Sequence, residues 1–486
     1  MRRIGLVYIL VLVLALAAVA GVLQLGQALP APPGTSPAAA LAPNAAMAAD
    51  DGASTLAGIA HALGAKLHHP LGQLFVQLLV IIAAAQLLGR AFTRLGQPAV
   101  VGEMTAGILL GPSLFGLLAP EAFRFVFPTD SLGTLRLLSQ IGVCLFMFAV
   151  GMKLNVAHVR DKAHAAVAVS HASIVAPYVL GVLLAYALYS ELAAAGSSFT
   201  AFALFMGIAM SITAFPVMAR ILDERGLTRT HLGSTAITCA AVDDITAWSL
   251  LAFVVAIAGA TSLGGAAVNL VLGLGFVAVM VYAVRPALAM WLGDRRLKQE
   301  DPSNGTLAVA VCLVLAAALC TEIIGIHALF GAFLAGAIMP RAQGFGQRIT
   351  VRVESFSTVL LLPLFFAFTG LRTEIGLIET ADDWLLCGLI IAVATLGKLG
   401  GSALAARFTG MHWCESLQLG ALMNTRGLME LIALNIGYDL GILSPRIFTM
   451  MVVMALATTM MTGPLLSLFG ARRRTSDEQP ARPVQV

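Results

Sequence analysis

Charge is what this sequence has least of. Only 11% of its 486 residues are Asp, Glu, Lys or Arg, against about a quarter in soluble domains. A water-soluble fold of this length would lack polar surface, so a soluble enzyme and a nucleic-acid binder are excluded. Cysteine is scarce too, with six residues. They form neither a C-x-x-C pair nor a His/Cys cluster at metal-ligand spacing. Cys144, Cys239, Cys312, Cys320 and Cys387 fall inside apolar runs, and Cys414 follows Trp413. All read as small packing residues, which excludes a disulfide scaffold. No glycine-rich phosphate loop is present, so no cofactor is expected and ATP-driven transport is disfavoured.

What fills the chain instead is apolar: 59% of residues, with a mean hydropathy of +0.91. A hydrocarbon slab about 30 Å thick takes about 20 such residues per helix. The fold class is therefore all-α, a polytopic membrane protein with about thirteen spans beginning at Leu71. The fifth covers roughly 199–220, the sixth 232–259, the ninth 327–340, the eleventh 384–405 and the twelfth 416–438. Met1-Arg2-Arg3 and the apolar run that follows read as a signal peptide or signal anchor over 1–48. An Ala-, Pro- and Gly-rich segment over 49–69 reads as disordered and extracytoplasmic. The transmembrane domain is placed at 70–471, with a short cytoplasmic tail at 472–486. Loops carrying Arg90 and Arg94, Lys153 to Lys162, Arg295 to Lys298 and Arg472 to Arg474 alternate with loops poor in basic residues. Basic loops stay in the cytoplasm, so the N-terminus is expected outside and the C-terminus inside a bacterial inner membrane.

Ionisable groups at membrane depth are functional candidates by default. Here they are Glu103, His171, Asp243, Asp244, Lys398, Arg426 and Glu430. Asp243 and Asp244 are neighbours on one span, pointing about 100° apart, so they cannot share a partner symmetrically. One can face a cavity while the other pairs with a base, and Lys398, the lysine deepest in a span, is the natural partner. Two spans also carry helix-breaking residues. Thr213 and Pro216 interrupt the fifth, and Asn424, Thr425 and Gly427 the twelfth. Irregular backbone survives at membrane depth only where it lines protein or water. Interrupted spans in matching halves of a chain mark secondary transporters with a midplane site.

These motifs resemble a known family. Val101-Gly-Glu-Met-Thr-Ala-Gly-Ile-Leu-Leu-Gly-Pro-Ser113, Ile212-Thr-Ala-Phe-Pro-Val-Met-Ala-Arg-Ile-Leu222 and Ala241-Val-Asp-Asp-Ile-Thr-Ala-Trp248 are similar to stretches of monovalent cation:proton antiporters. The branch is that of plant cation/proton exchangers and bacterial potassium-efflux antiporters. His327 to Gly336, Leu362 to Leu371, Gly397-Lys398 and Met423 to Glu430 extend the match over about 70–470. The resemblance implies two inverted repeats with crossing broken helices, a homodimer, and a core moving against a dimerisation panel. It implies that Asp244 binds cation and proton in competition, as the site of the transported metal ion. Asp243 and Lys398 would be the accompanying pair, and Thr213, Pro216, Asn424 and Thr425 the broken-helix cavity. Glu103, Arg426 and Glu430 stand as supporting residues, Glu103 more structural than functional.

The expected function is antiport of Na⁺ or K⁺ against H⁺, a role in pH homeostasis. A carboxylate in a partly dry cavity prefers neutrality, so it holds a proton or a metal ion, and that requirement couples the fluxes. The lipid bilayer, the two ions and a second copy of the chain are the expected partners. A cation channel would want rings of carbonyls or acids. An intramembrane aspartyl protease would want its two carboxylates on separate helices.

Overall fold

The computed structural model describes residues 2–26, 69–153, 163–228, 230–258, 263–297, 303–340 and 345–476. The segment expected to be disordered at 49–69 lies outside these residues except for its last, and 477–486 of the expected tail lies outside them too. The N-terminal apolar run forms α1 (Arg2–Gly26), which packs on α5 and α6, defined below.

Long apolar stretches become helices because in hydrocarbon every backbone N–H and C=O needs a partner within its own segment. First come α2 (Pro70–Arg94), α3 (Ala99–Leu110) and α4 (Leu132–Lys153). After them lie α5 (Ala163–Leu192), α6 (Phe199–Ser211), α7 (Phe215–Glu224) and α8 (His231–Ala258). A π-helical turn at Met280–Val284 joins α9 (Leu263–Val279) to α10 (Arg285–Leu297). The chain continues through α11 (Asn304–Ile324), α12 (Ala328–Ala337), α13 (Phe345–Phe356) and α14 (Leu362–Leu371). A second π-helical turn, Leu396–Gly400, links α15 (Ala381–Thr395) to α16 (Gly401–Phe408). The last elements are α17 (Trp413–Met423), α18 (Leu428–Asp439) and α19 (Pro445–Ser476).

Among the described residues, 11 helices are long and apolar enough to cross a membrane. Thirteen spans are thus not reached by length and composition, and the two shortfalls have physical reasons. The ninth expected span is α12, a helix of only 10 residues. The twelfth is split, with α17 and α18 each too short to count alone. Large apolar side chains such as Leu79, Leu87, Leu274 and Leu385 stand more than half exposed. Water would penalise that surface and lipid does not.

The helices pack in two groups. In one, α2 and α14 lie on α3, while α12 packs between α4 and α11. There α3 and α14 meet backbone to backbone, since a Cβ on Gly107 would stand 2.1 Å from the Phe366 carbonyl oxygen, and one on Gly370 2.0 Å from Gly107. In the other group α5 packs against α6, α8 and α16, and α17 against α16 and α19. The candidate residues other than Glu103, which is on α3, lie in or beside this second group.

Candidate ion-binding site

Two helix breaks face each other. Helix α6 stops at Ser211 because Ile212 is extended, with φ −70° and ψ 135°. The fifth span is interrupted, as its sequence suggests, but the break falls ahead of Pro216. The proline sits in the first turn of α7, where a missing N–H costs nothing and a fixed φ favours the start. Between α17 and α18, Gly427 takes φ 139° and ψ −129°, backbone that L side chains rarely adopt. The Ala214 N–H donates to the Thr425 carbonyl at 2.9 Å. The Thr213 hydroxyl reaches the Met423 carbonyl at 3.2 Å. The two breaks therefore satisfy part of each other's exposed backbone.

Asp243, on α8, is fully buried and fully engaged. Its Oδ2 lies 2.9 Å from Lys398 Nζ. Thr213 donates to the same oxygen at 2.6 Å, and Ser170 to Oδ1 at 2.8 Å. Ser173 donates to both oxygens at 3.0 Å. Lys398 projects from the π-helical turn, and its ammonium also donates to Ser173 Oγ and to the Ser211 carbonyl. A buried ion pair survives only when its remaining donors and acceptors are satisfied, and here they are.

Asp244 differs. It is buried at 2% exposure, yet among the described residues its carboxylate makes neither a hydrogen bond nor an ion pair. Asn424 resembles it: fully buried, with neither amide atom hydrogen-bonded. Thr425 is turned away, its hydroxyl 3.2 Å from that of Thr462 on α19. Of the expected cavity residues, Thr213 is brought to Asp243, Pro216 shapes the backbone and Thr425 belongs to packing.

Arg426 and Glu430 form a fully buried pair at 3.2 Å, one turn apart on the chain. The guanidinium also donates to the carbonyls of Ala209 and Met210. These are orphan acceptors at the end of a helix, where positive charge is stabilising. Arg426 and Lys398 thus seat together on three consecutive carbonyls, 209 to 211, at the interrupted end of α6.

Glu103, half-buried on α3, stands apart. With Val150 of α4, Pro216 and Asp223 of α7 and Leu428 of α18 it lines a cavity of about 470 Å³ between the two helix groups. That cavity reaches the first residues of α7 and α18, where both spans resume after their breaks. His171 turns its Nδ1 to the carbonyl of Val167 at 2.8 Å.

No motif in the sequence marks Ser170 and Ser173, although their hydroxyls complete the shell of Asp243 and Lys398. A Ser in a helix ordinarily bonds its own preceding turn, so hydroxyls in an apolar span carry little signal. The spacing of Ser170 and Ser173, three apart on one helix face, was the cue available.

The comparisons with known proteins agree among themselves. Residues 78–471 match the family described as "Sodium/hydrogen exchanger, transmembrane". The Na(+)/H(+) antiporter NhaS4 of Synechocystis is 44% identical over 394 residues, covering 81% of this chain and 96% of that one. Cation/H(+) antiporter 17 of Arabidopsis thaliana is 40% identical over 402 residues, 82% of this chain but 48% of that protein. The chain thus spans about half the length of this plant relative. Among solved structures, the sodium proton antiporter MjNhaP1 from Methanocaldococcus jannaschii superposes with a TM-score of 0.61 at 12% identity, over 82% of this chain and 98% of that one. That likeness shows the fold.

Proposed function

The chain belongs to the sodium/hydrogen exchanger transmembrane family, and from that premise we propose that it exchanges Na⁺ or K⁺ for H⁺ by alternating access, with Asp244 as the carrier carboxylate. One observation supports the choice above others: of two adjacent buried aspartates, Asp243 is saturated by Lys398 and three hydroxyls, while Asp244 makes no hydrogen bond or ion pair among the described residues. A carboxylate already holding a lysine cannot readily take a dehydrated cation. Its unpartnered neighbour can, because a bare charge in a low-dielectric site is costly until a proton or a metal ion neutralises it. Proton and cation then exclude each other, and neither flux proceeds without the other.

Asn424 offers the cation an amide oxygen, a hard ligand of the type alkali ions prefer. The cavity beside Glu103 is the approach from one side, opening between the two helix groups down to the crossing. Motion of the group carrying α5, α6, α8 and α15 to α19 against the other would transfer access to the far side. The charge pattern of the loops supports a cytoplasmic C-terminus, and the panel supplies the face for a homodimer. An aspartyl-protease dyad fits poorly, since one aspartate is bound to lysine and both lie on one helix.

The test is proton efflux from everted vesicles on adding Na⁺, K⁺ or Li⁺ in turn. Exchange requires a response to at least one cation, and its loss in Asp244→Asn with normal membrane insertion. An Asn variant exchanging at the wild-type rate would remove Asp244 from the role.

A further inference from the structure

A cavity of about 430 Å³ lies on the other side of α8, away from the ion pair, walled by α8, α9, α12 and the end of α11. Its lining is almost wholly apolar. Thr321, whose hydroxyl borders it, already donates to the Ala317 and Ala318 carbonyls and accepts from the Gly331 N–H. A buried water needs two to four polar partners, and among the described lining residues only Trp248, Ser249 and Thr321 carry a side-chain N–H or O–H. An empty void of this size would forfeit the dispersion contacts of every atom around it.

The cavity has a mouth. Phe253 on α8 and Leu274 and Val277 on α9 line it and are 44%, 62% and 43% exposed. They belong to helices long and apolar enough to cross a membrane, so the mouth opens into hydrocarbon. Ala252 and Gly273, small residues on facing walls, leave the space. Trp248 closes the inner end, 4% exposed, its ring 5.6 Å from Phe330 and 6.3 Å from Phe333.

We propose that this cavity binds one acyl chain of a membrane phospholipid, entering between Phe253 and Val277 and ending against the Trp248 indole. A flexible apolar chain supplied by the bilayer meets each requirement: it needs no polar partner, bends to follow an irregular cavity, and leaves its headgroup outside. The site joins α8 and α12, elements of the two helix groups, so the bound chain lies in their seam. Trp248 is one helical turn from Asp244, which places the acyl terminus beside the helix that carries the carboxylate.

The claim is testable without any transport measurement, so its failure leaves the antiport reading intact. Replacing Trp291, Trp384 and Trp413 by Phe leaves Trp248 as the single tryptophan. The protein is reconstituted into phosphatidylcholine vesicles whose acyl chains are brominated near mid-chain, and its emission compared with that in unbrominated vesicles. Bromine quenches indole on near contact, so a tryptophan sealed from lipid by protein stays bright. The expected result is a marked loss of Trp248 emission. Ala252→Phe, which fills the slot, should restore it. Gly273→Leu is the second filling variant, since a Cβ there meets only the tip of the Ile326 side chain. Unquenched emission in the single-tryptophan protein would overturn the proposal, and is also the result if a second copy of the chain covers the mouth. Quenching that persists undiminished in a folded filling variant would overturn it equally.

Discussion

On the proposed reading, the two adjacent aspartates, with opposite surroundings, divide the chemistry between them. Asp244→Asn keeps the shape and removes the charge, so exchange should vanish while the melting temperature in detergent stays near wild type. If one carboxylate serves both ions, exchange should increase with pH as protons leave it. More cation should move the midpoint of that profile down, about one pH unit for a tenfold rise, the 1.4 kcal/mol that tenfold represents. Initial rates at several Na⁺ or K⁺ concentrations check this, and a fixed midpoint would exclude simple competition. Asp243 makes a different prediction. If cation binding at Asp244 breaks the Asp243–Lys398 pair, Lys398 releases a second proton and each cycle moves net charge. One elementary charge across the membrane is worth about 2.3 kcal/mol per 100 mV. Liposomes at equal pH under a potassium-diffusion potential should therefore accumulate Na⁺ with the wild-type protein, and far less with Asp243→Asn.

The broken helices are held by residues that, among the described residues, make no hydrogen bond or ion pair with the proposed carrier Asp244. Arg426 ties the start of α18 to the end of α6 and neutralises Glu430. Arg426→Met should cost about 3–5 kcal/mol, because it leaves a buried partner charge uncompensated. The double change Arg426→Met with Glu430→Met should recover part of it, as read by thermal unfolding in detergent. How much of this was legible in the chain differs by residue. The interruption around Asn424 to Glu430 and the pairing of Lys398 with an aspartate were visible, because a charge at membrane depth is too costly to stand without a partner or a cavity. That Lys398 takes Asp243 and not Asp244 followed only from the family resemblance, since in the fold it depends on where Ser170, Ser173 and Thr213 arrive from neighbouring segments. The seat of Arg426 on the α6 carbonyls was not visible, since it exists only because α6 ends at Ser211 and not at the proline five residues on. Glu103 differs from the other charged residues already in the sequence, but its place in the cavity between the helix groups follows from packing that no local pattern encodes.

Across the whole molecule, the two helix groups are joined at one end by ions and separated at the other by a cavity. Asp439, closing α18, meets Arg372 at 2.8 Å and Arg136 of α4 at 3.3 Å, and Arg372 also donates to Asn435 at 3.1 Å. The cavity beside Glu103 follows α7 toward the opposite end. Asp439→Asn should loosen the ionic end: a cysteine placed at Asn435 in a cysteine-free background should react faster with a membrane-impermeant maleimide. Raised salt should reproduce part of that effect in the parent, since Arg136 is 45% exposed and exposed pairs are screened. Unchanged labelling in both conditions would show that this end opens independently of the ions. The glycine contact between α3 and α14 bears on the same motion. Where two backbones touch with no side chain between them, nothing is left to compress, and that part of the protein behaves as a rigid bulkhead. If the core moves as proposed, its work against that bulkhead would pass outward, into deformation of the surrounding bilayer. The temperature dependence of exchange should then bend where the lipid melts, at a point set by the membrane's composition and not by the protein's own unfolding.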